Sequence, residues 1–262
     1  MDPKNVLIIG AGISGLTAAK YALDSGLAPL VLERNKDLGG IWNPQTGSTW
    51  NGLCTNFCKY NAQLSDLPYP EDTPMFPLNH QVFNYLKDYA SKFNLLPHIR
   101  FDCKVTRLEK VVDEEETRYR VSWRKEGKEE TGVFPFVVVA AGMFSQPHLP
   151  SFKGIEKFKG TVLHSKDYKG SSPFAGKRVL TLGSSVSGSD LPANVAKDAA
   201  IVHHCFRVAS WVFPHFVQIG KGQRIPFDLV MLTREYQKLP KMCYEEQVAF
   251  TNKLFSTLCS EQ

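Results

Sequence analysis

The chain has no apolar run approaching the roughly 18 residues that cross a membrane as a helix. It has no Cys-x-x-Cys pair, and its 6 cysteines are scattered without the spacing of a zinc site. These absences argue against a disulfide-stapled secreted fold and a Cys-rich metal module; thiols used this way read as intracellular and reduced. No basic block with interleaved aromatics occurs, so nucleic acid is not an expected partner. Met1-Asp2-Pro3-Lys4 leads directly into an apolar strand, without the layout of a secretory signal. The formal net charge of +5 is a mild excess, one that could draw in polyanionic dinucleotides or merely reflect scattered surface lysines. What remains is an ordinary globular composition, 262 residues and 43% hydrophobic, enough for one large domain or two small ones.

Two glycine-rich turns stand out. Gly10-Ala11-Gly12-Ile13-Ser14-Gly15 follows Val6-Leu7-Ile8-Ile9, and a helical face of Leu16, Ala19, Ala22 and Leu23 comes next. Gly183-Ser184-Ser185-Val186-Ser187-Gly188 follows Arg178-Val179-Leu180-Thr181-Leu182. In a Rossmann unit such a turn lays a pyrophosphate against a helix N-terminus, and the residue about 20 positions on, at the next strand end, meets the adenosine ribose. After the first turn that residue is Glu33, a carboxylate suited to free ribose hydroxyls and hence to FAD or NAD. After the second it is Arg207, suited to the 2′-phosphate of NADPH. The second turn is the weaker, because Ser185 stands where the middle glycine belongs. The pair suggests electrons passing from NADPH to a flavin.

Between and after the turns, the pattern predicts a long ordered loop over 38–78 and an amphipathic helix over 80–96. Strands are expected at 99–109, 118–124 and 133–141, an antiparallel meander ending in a buried strand, and then a Pro- and Gly-rich connector over 143–176. Residues 208–262 read mostly as loop and helix. The expected fold class is α/β: two Rossmann-like dinucleotide-binding domains, the first with an antiparallel β-meander insertion, the second incomplete. The expected division is 1–150 for the FAD-binding domain, without a C-terminal return segment, and 151–262 for a linker plus a partial NADP-binding domain.

Five further segments carry a family resemblance. Glu33-Arg34 leads to Gly39-Gly40-Ile41-Trp42, and Thr55-Asn56-Phe57-Cys58-Lys59 leads to Ser65-Asp66-Leu67-Pro68. Phe158-Lys159-Gly160 continues to His164 and Tyr168, Arg207-Val208-Ala209-Ser210-Trp211-Val212 follows, and Pro226-Phe227-Asp228 precedes Thr233-Arg234. In that order along nearly the whole chain, they resemble the flavin-containing monooxygenases. The resemblance implies FAD held by Gly10, Gly12, Ile13, Ser14, Gly15, Glu33 and Arg34, with Gly39, Gly40, Ile41 and Trp42 along it. It implies NADP(H) at Gly183, Ser184, Ser187, Gly188 and Arg207. Asn56 would be the active-site asparagine beside both cofactors, and the Phe158–Tyr168 element would link the two nucleotide regions. His164 there reads first as a structural, hydrogen-bonded histidine.

The implied reaction is that of the N,N-dimethylaniline monooxygenases: NADPH reduces FAD, molecular oxygen forms a hydroperoxyflavin, and a soft nitrogen or sulfur nucleophile of a small molecule takes the distal oxygen. No metal is implied. Tyr168 stands where Baeyer–Villiger relatives carry Trp, which favours amine or sulfide oxygenation. Members of the family are longer, so the chain is expected to be a C-terminally truncated form. A cytoplasmic location is expected, or association with the endoplasmic reticulum if a longer form carries a C-terminal anchor. Two alternatives stay open: an FAD-binding protein without turnover, and an FAD-dependent disulfide reductase using Cys54 and Cys58.

Overall fold

The computed structural model describes residues 2–112, 117–208, 213–219, 222–231 and 246. In chain order the elements are β1 (Asn5–Ile9), α1 (Ile13–Asp24), β2 (Ala28–Leu32), α2 (Lys59–Ala62), α3 (Asn79–Lys92), β3 (Ile99–Arg100), β4 (Lys104–Val112), β5 (Thr117–Lys125), β6 (Lys128–Phe134), β7 (Phe136–Val139), β8 (Arg178–Leu182), α4 (Val186–Val195), β9 (Ile201–Cys205), β10 (Phe216–Ile219), β11 (Gln223–Pro226) and α5 (Phe227–Met231). It is a mixed α/β fold containing parallel sheet. It divides into two compact units, one of residues 1–51 and 79–169, the other of residues 52–78 and 170–262.

The first unit is built on a four-stranded parallel sheet in the order β3-β2-β1-β7. Val6, Leu7 and Ile8 of β1 are all buried, the pattern of an inner parallel strand covered on both faces. α1 buries Gly15, Leu16, Ala19 and Ala22, a stripe of mostly small residues that lets a helix lie close to a strand. A three-stranded antiparallel sheet, β4-β5-β6, shares a core with it: Leu7 and Leu32 pack with Cys103, Val121 and Trp123.

Three departures from the sequence expectation have local causes. The strand expected over 99–109 is two strands in two sheets, because Asp102 takes a left-handed conformation (φ 55°) and turns the chain between β3 and β4. The run expected over 133–141 is likewise split at Pro135, which cannot donate to a ladder: β6 closes the meander and β7 joins β1 in the parallel sheet. β7 is an edge strand among the described residues, and it is not buried as expected, for Phe136 is 53% and Val139 63% exposed. The helix expected to reach 96 stops at Lys92, where Asn94 (φ 51°) caps it. Its N–H donates to the Ser91 carbonyl (3.1 Å) and that of buried Leu95 to the Ala90 carbonyl (2.8 Å), a Schellman motif.

In the second unit β8 and β9 pair in parallel with α4 between them in sequence. Residues 213–231 add the hairpin β10-β11 and α5, more strand than the sequence pattern had suggested. Residues 52–78, read as ordered loop, hold α2 and the isolated bridge Cys54–Leu78. No helix among the described residues is long and apolar enough to cross a membrane.

Candidate functional site

The first glycine turn sits between β1 and α1. Gly10 has φ 105°, a conformation reserved in practice for glycine, and the Gly10 N–H donates to the Leu32 carbonyl (2.8 Å). A Cβ on Gly15 would collide with the Gly10 carbonyl oxygen, so only glycine lets the helix pack back on the turn. Gly12 caps α1 without any side-chain bond to the helix's first N–H groups, and Ile13 and Ser14 lie exposed beside them. That end of the helix carries unsatisfied donors and a positive dipole, the chemistry that accepts a phosphate.

Glu33 follows β2 and is buried, yet both its carboxylate oxygens are used. Oε2 accepts from the Ala11 N–H (2.7 Å), inside the glycine turn, and Oε1 from the Asn35 N–H (2.9 Å). A carboxylate offers about four acceptor sites, so two remain unused by these bonds. Arg34 is exposed. Gly39 donates its N–H to the Ala11 carbonyl (2.9 Å), which brings the second glycine pair against the first turn. Gly40 (φ 57°) opens a single 3-10 turn with Ile41 and Trp42, and a Cβ on Gly40 would lie 3.1 Å from the Gly12 Cα. Two glycine backbones therefore face each other beside the turn, closer than side chains there would allow.

The following loop is tied by Asn43 and Lys169, to which the sequence reading gave no role, together with Tyr168. Buried Asn43 donates its amide to the Leu38 carbonyl (3.0 Å) and accepts from the Gln45 N–H (2.9 Å). Lys169 Nζ donates to the Gly47 and Thr49 carbonyls (2.9 and 3.3 Å), and the Asn51 N–H donates to the Lys169 carbonyl (3.2 Å). Buried Tyr168 meets Trp50 edge-on at 5.7 Å. The Phe158–Tyr168 element thus ends clasped to the loop after Trp42. His164 Nδ1 accepts from the Lys166 N–H (3.1 Å) and caps a 3-10 turn, the structural role read first from the sequence.

The second turn repeats the first in backbone. Gly183 has φ 124°, and a Cβ on Gly188 would collide with the Gly183 carbonyl oxygen. Ser185 takes φ −79° and ψ −176°, against −76° and −174° for Gly12, so the serine leaves the turn's path unchanged. It too caps its helix without a side-chain bond, and Ser187 is exposed while Ser184 and Gly188 are half-buried. His204 Nε2 donates to the Gly183 carbonyl (2.6 Å). Arg207 is exposed two residues beyond β9, one position further out than Glu33 stands beyond β2, and Phe206 takes the matching place. Of the Arg207–Val212 motif only Arg207 and Val208, and of the Thr233-Arg234 pair neither, are among the described residues.

Asn56 lies at the exposed tip of a turn in the second unit. The Thr55 hydroxyl donates to the Phe57 carbonyl (2.7 Å), and the Thr55 N–H to the Pro77 carbonyl (2.9 Å). Lys59, buried, donates from Nζ to the Glu71 and Thr73 carbonyls (2.6 and 2.9 Å). Asp228 Oδ2 accepts from the Cys58 N–H (2.9 Å) and the Asn61 side-chain amide (2.6 Å), closing the turn from a point distant in sequence. Cys54 and Cys58 are free thiols. Burial raises both above the usual thiol range, with Asp190 adding to the shift at Cys54 and Asp228 at Cys58. Neither environment is the electropositive one that makes a redox-active thiolate.

Parallel sheet, two glycine turns at helix N-termini and oppositely charged strand-end residues define a dinucleotide-binding α/β protein. The comparisons narrow the class. The profile of the family described as flavin-binding monooxygenase-like matches residues 3–253, and the chain belongs to that family. Flavin-containing monooxygenase 2 of Homo sapiens is 38% identical over 240 residues, 88% of this chain and 44% of that protein. Dimethylaniline monooxygenase [N-oxide-forming] 2 of Pan troglodytes is 39% identical over the same shares. The chain thus spans less than half the length of these curated relatives. Among solved structures, S-allyl-L-cysteine S-oxygenase from Allium sativum superposes with a TM-score of 0.70 at 26% identity, covering 83% of this chain and 54% of that one. A steroid monooxygenase bound to NADP superposes with a TM-score of 0.60 at 29% identity, covering 75% of this chain and 37% of that one. A disulfide reductase is not favoured by any of these relatives.

Proposed function

We propose that this chain carries the FAD- and NADPH-binding parts of a flavin-dependent monooxygenase that oxygenates soft nitrogen or sulfur nucleophiles of small molecules. The first unit is the FAD domain, with the meander β4-β5-β6 as its insertion, and the second holds the NADP site in a partial second Rossmann-like domain. The observation that carries the reading is the first turn: Glu33 buried with its carboxylate on the Ala11 N–H, and Gly12 and Gly40 backbone to backbone. When bound, FAD supplies the redox chemistry that couples NADPH and oxygen to oxygen transfer.

The chain's own residues bind, orient and shield. The free N–H groups at Gly12, Ile13 and Ser14 bind the FAD pyrophosphate, helped by the helix dipole. Glu33 holds the turn and accepts from the ribose hydroxyls, while Arg34 lies at the same strand end. Gly39, Gly40, Ile41 and Trp42 line the cofactor's path, and the Asn43 and Lys169 bonds fix the loop that follows. At the second turn Gly183, Ser184, Ser187 and Gly188 bind the NADPH pyrophosphate, and Arg207 pairs with the 2′-phosphate. Asn56 presents a neutral amide that donates and accepts hydrogen bonds without adding an acid or a base. No side-chain nucleophile is required, which agrees with the raised thiols of Cys54 and Cys58. Tyr168 in place of Trp favours amines and sulfides over ketones.

The test is product formation by the purified chain with FAD, NADPH and either N,N-dimethylaniline or a simple thioether. The reading expects one N-oxide or sulfoxide per NADPH consumed. NADPH consumption that never yields oxygenated product leaves an FAD-binding protein without this activity.

A further inference from the structure

Among the described residues no hydrogen bond holds the Asn56 side chain. It is exposed at the tip of its turn, and the bonds that shape the turn belong to its neighbours. Upstream, Thr55 is fixed by its N–H on the Pro77 carbonyl and its hydroxyl on the Phe57 carbonyl. Downstream the chain enters α2, four residues long, too short to hold itself and capped by no side chain of its own. The cap comes from 170 residues away: Asp228 Oδ2 accepts from the Cys58 N–H at 2.9 Å and also from Asn61 Nδ2 at 2.6 Å, so one oxygen grips both ends of α2's first turn.

Asp228 stands on a fixed base. It follows Pro226 at the end of β11, the Phe227 N–H donates to the His215 carbonyl (2.9 Å), and the Phe227 ring stacks on Phe213 at 4.6 Å. The residue is buried, and its other oxygen, Oδ1, has no hydrogen-bond partner among the described residues.

We propose that Asp228 is a positioning residue for Asn56, acting through the Cys58 amide and the Asn61 side chain. The inference rests on the reading of Asn56 as the active-site amide given above. Asp228 does not touch the reacting atoms. It sets the downstream limb of the turn, and so the direction in which the Asn56 amide is offered.

The experiment uses the whole chain with FAD bound and compares Asp228→Ala, Asp228→Asn and Asn61→Ala, each alone and combined with Asn56→Ala. The first readout is hydrogen peroxide released per NADPH consumed, a ratio that loss of folded protein does not move. Asp228→Ala is expected to raise it several-fold and Asn61→Ala by less. Asp228→Asn, which keeps an oxygen at the doubly accepting position, recovers most of the coupling. On the Asn56→Ala background Asp228→Ala adds nothing, because its effect passes through Asn56. A wild-type ratio in Asp228→Ala, or an effect that adds in full to Asn56→Ala, overturns the proposal. The second readout is amide exchange across residues 55–61, roughly tenfold faster in Asp228→Ala for the loss of a bond of ordinary net strength, and less so in Asn61→Ala. Unchanged exchange in both overturns the proposal whatever the activity. A wild-type chain that consumes no NADPH while Asp228→Ala speeds exchange refutes the monooxygenase reading and leaves the clasp standing.

Discussion

Replacing Glu33 with Gln tests the first glycine turn at its most connected point. The two oxygens of Glu33 each accept one backbone N–H, from Ala11 at 2.7 Å and Asn35 at 2.9 Å, and the residue is only 4% exposed. A glutamine keeps one oxygen and presents an NH₂ group where the other was. One N–H then keeps an acceptor without the charge, a loss of about 1 kcal/mol, and the other faces a donor, a buried unsatisfied group costing about 1–3 kcal/mol. The sum is about 3 kcal/mol, large beside the 5–15 kcal/mol that stabilises a typical domain. The same substitution removes one of the acceptors proposed for the ribose, so FAD should also bind roughly tenfold to a hundredfold more weakly. The assay is urea denaturation followed by far-UV circular dichroism, with FAD affinity measured by quenching of flavin fluorescence. The signature is a fall in both. A variant within about 0.5 kcal/mol of the parent in stability, the range of an ordinary surface substitution, and unchanged in FAD affinity, would refute the claim that Glu33 holds the turn and the ribose together.

Arg207→Ala should weaken NADPH binding about tenfold or more while leaving NADH binding unchanged, since only the former carries the 2′-phosphate; isothermal titration with both nucleotides checks this, and equal losses would reject the assignment. Asn94→Ala should destabilise the first unit by about 1 kcal/mol and Asn94→Gly should not, because asparagine and glycine tolerate the left-handed conformation of the cap and alanine does not; urea midpoints decide between them. Burial holds the Cys54 and Cys58 thiols above the usual value of 9.0, so the thiolate fraction of each at neutral pH is lower than that of a free thiol. Labelling of the native chain by iodoacetamide, followed by peptide mass spectrometry, should be slow at both and should climb only as pH rises past that value. Rapid labelling of Cys58 at pH 7 would contradict its burial.

The first glycine turn was legible because its pattern is local: strand, turn, helix and strand end are contiguous, and Gly15 answers to the Gly10 carbonyl within that stretch, although a Cβ on Gly10 would also meet the Ala140 carbonyl far along the chain. The weakness read into Ser185 came from residue identity alone. Its backbone matches that of Gly12 within a few degrees, so the serine adds a side chain at the turn without rerouting it. Strand limits were harder. A single Asp102 in the left-handed region, and Pro135 between two apolar runs, move the chain from one sheet to another, and neither interrupts the apolar pattern enough to announce it. Least legible were the clasps. Asp228, Lys169 and Lys59 work by bonding to backbone groups far along the chain, and a backbone N–H or carbonyl carries no residue name to match. The Pro226-Phe227-Asp228 motif was visible as a pattern, but its grip on the Asn56 turn follows only from the folded chain.

The most direct measurement is the visible spectrum of the purified 262-residue chain, before and after NADPH is added under argon. The account predicts the two-banded yellow absorption of bound flavin, FAD on extraction at one per chain, and bleaching of the long-wavelength band by NADPH. A colourless chain that takes up no added FAD would contradict it.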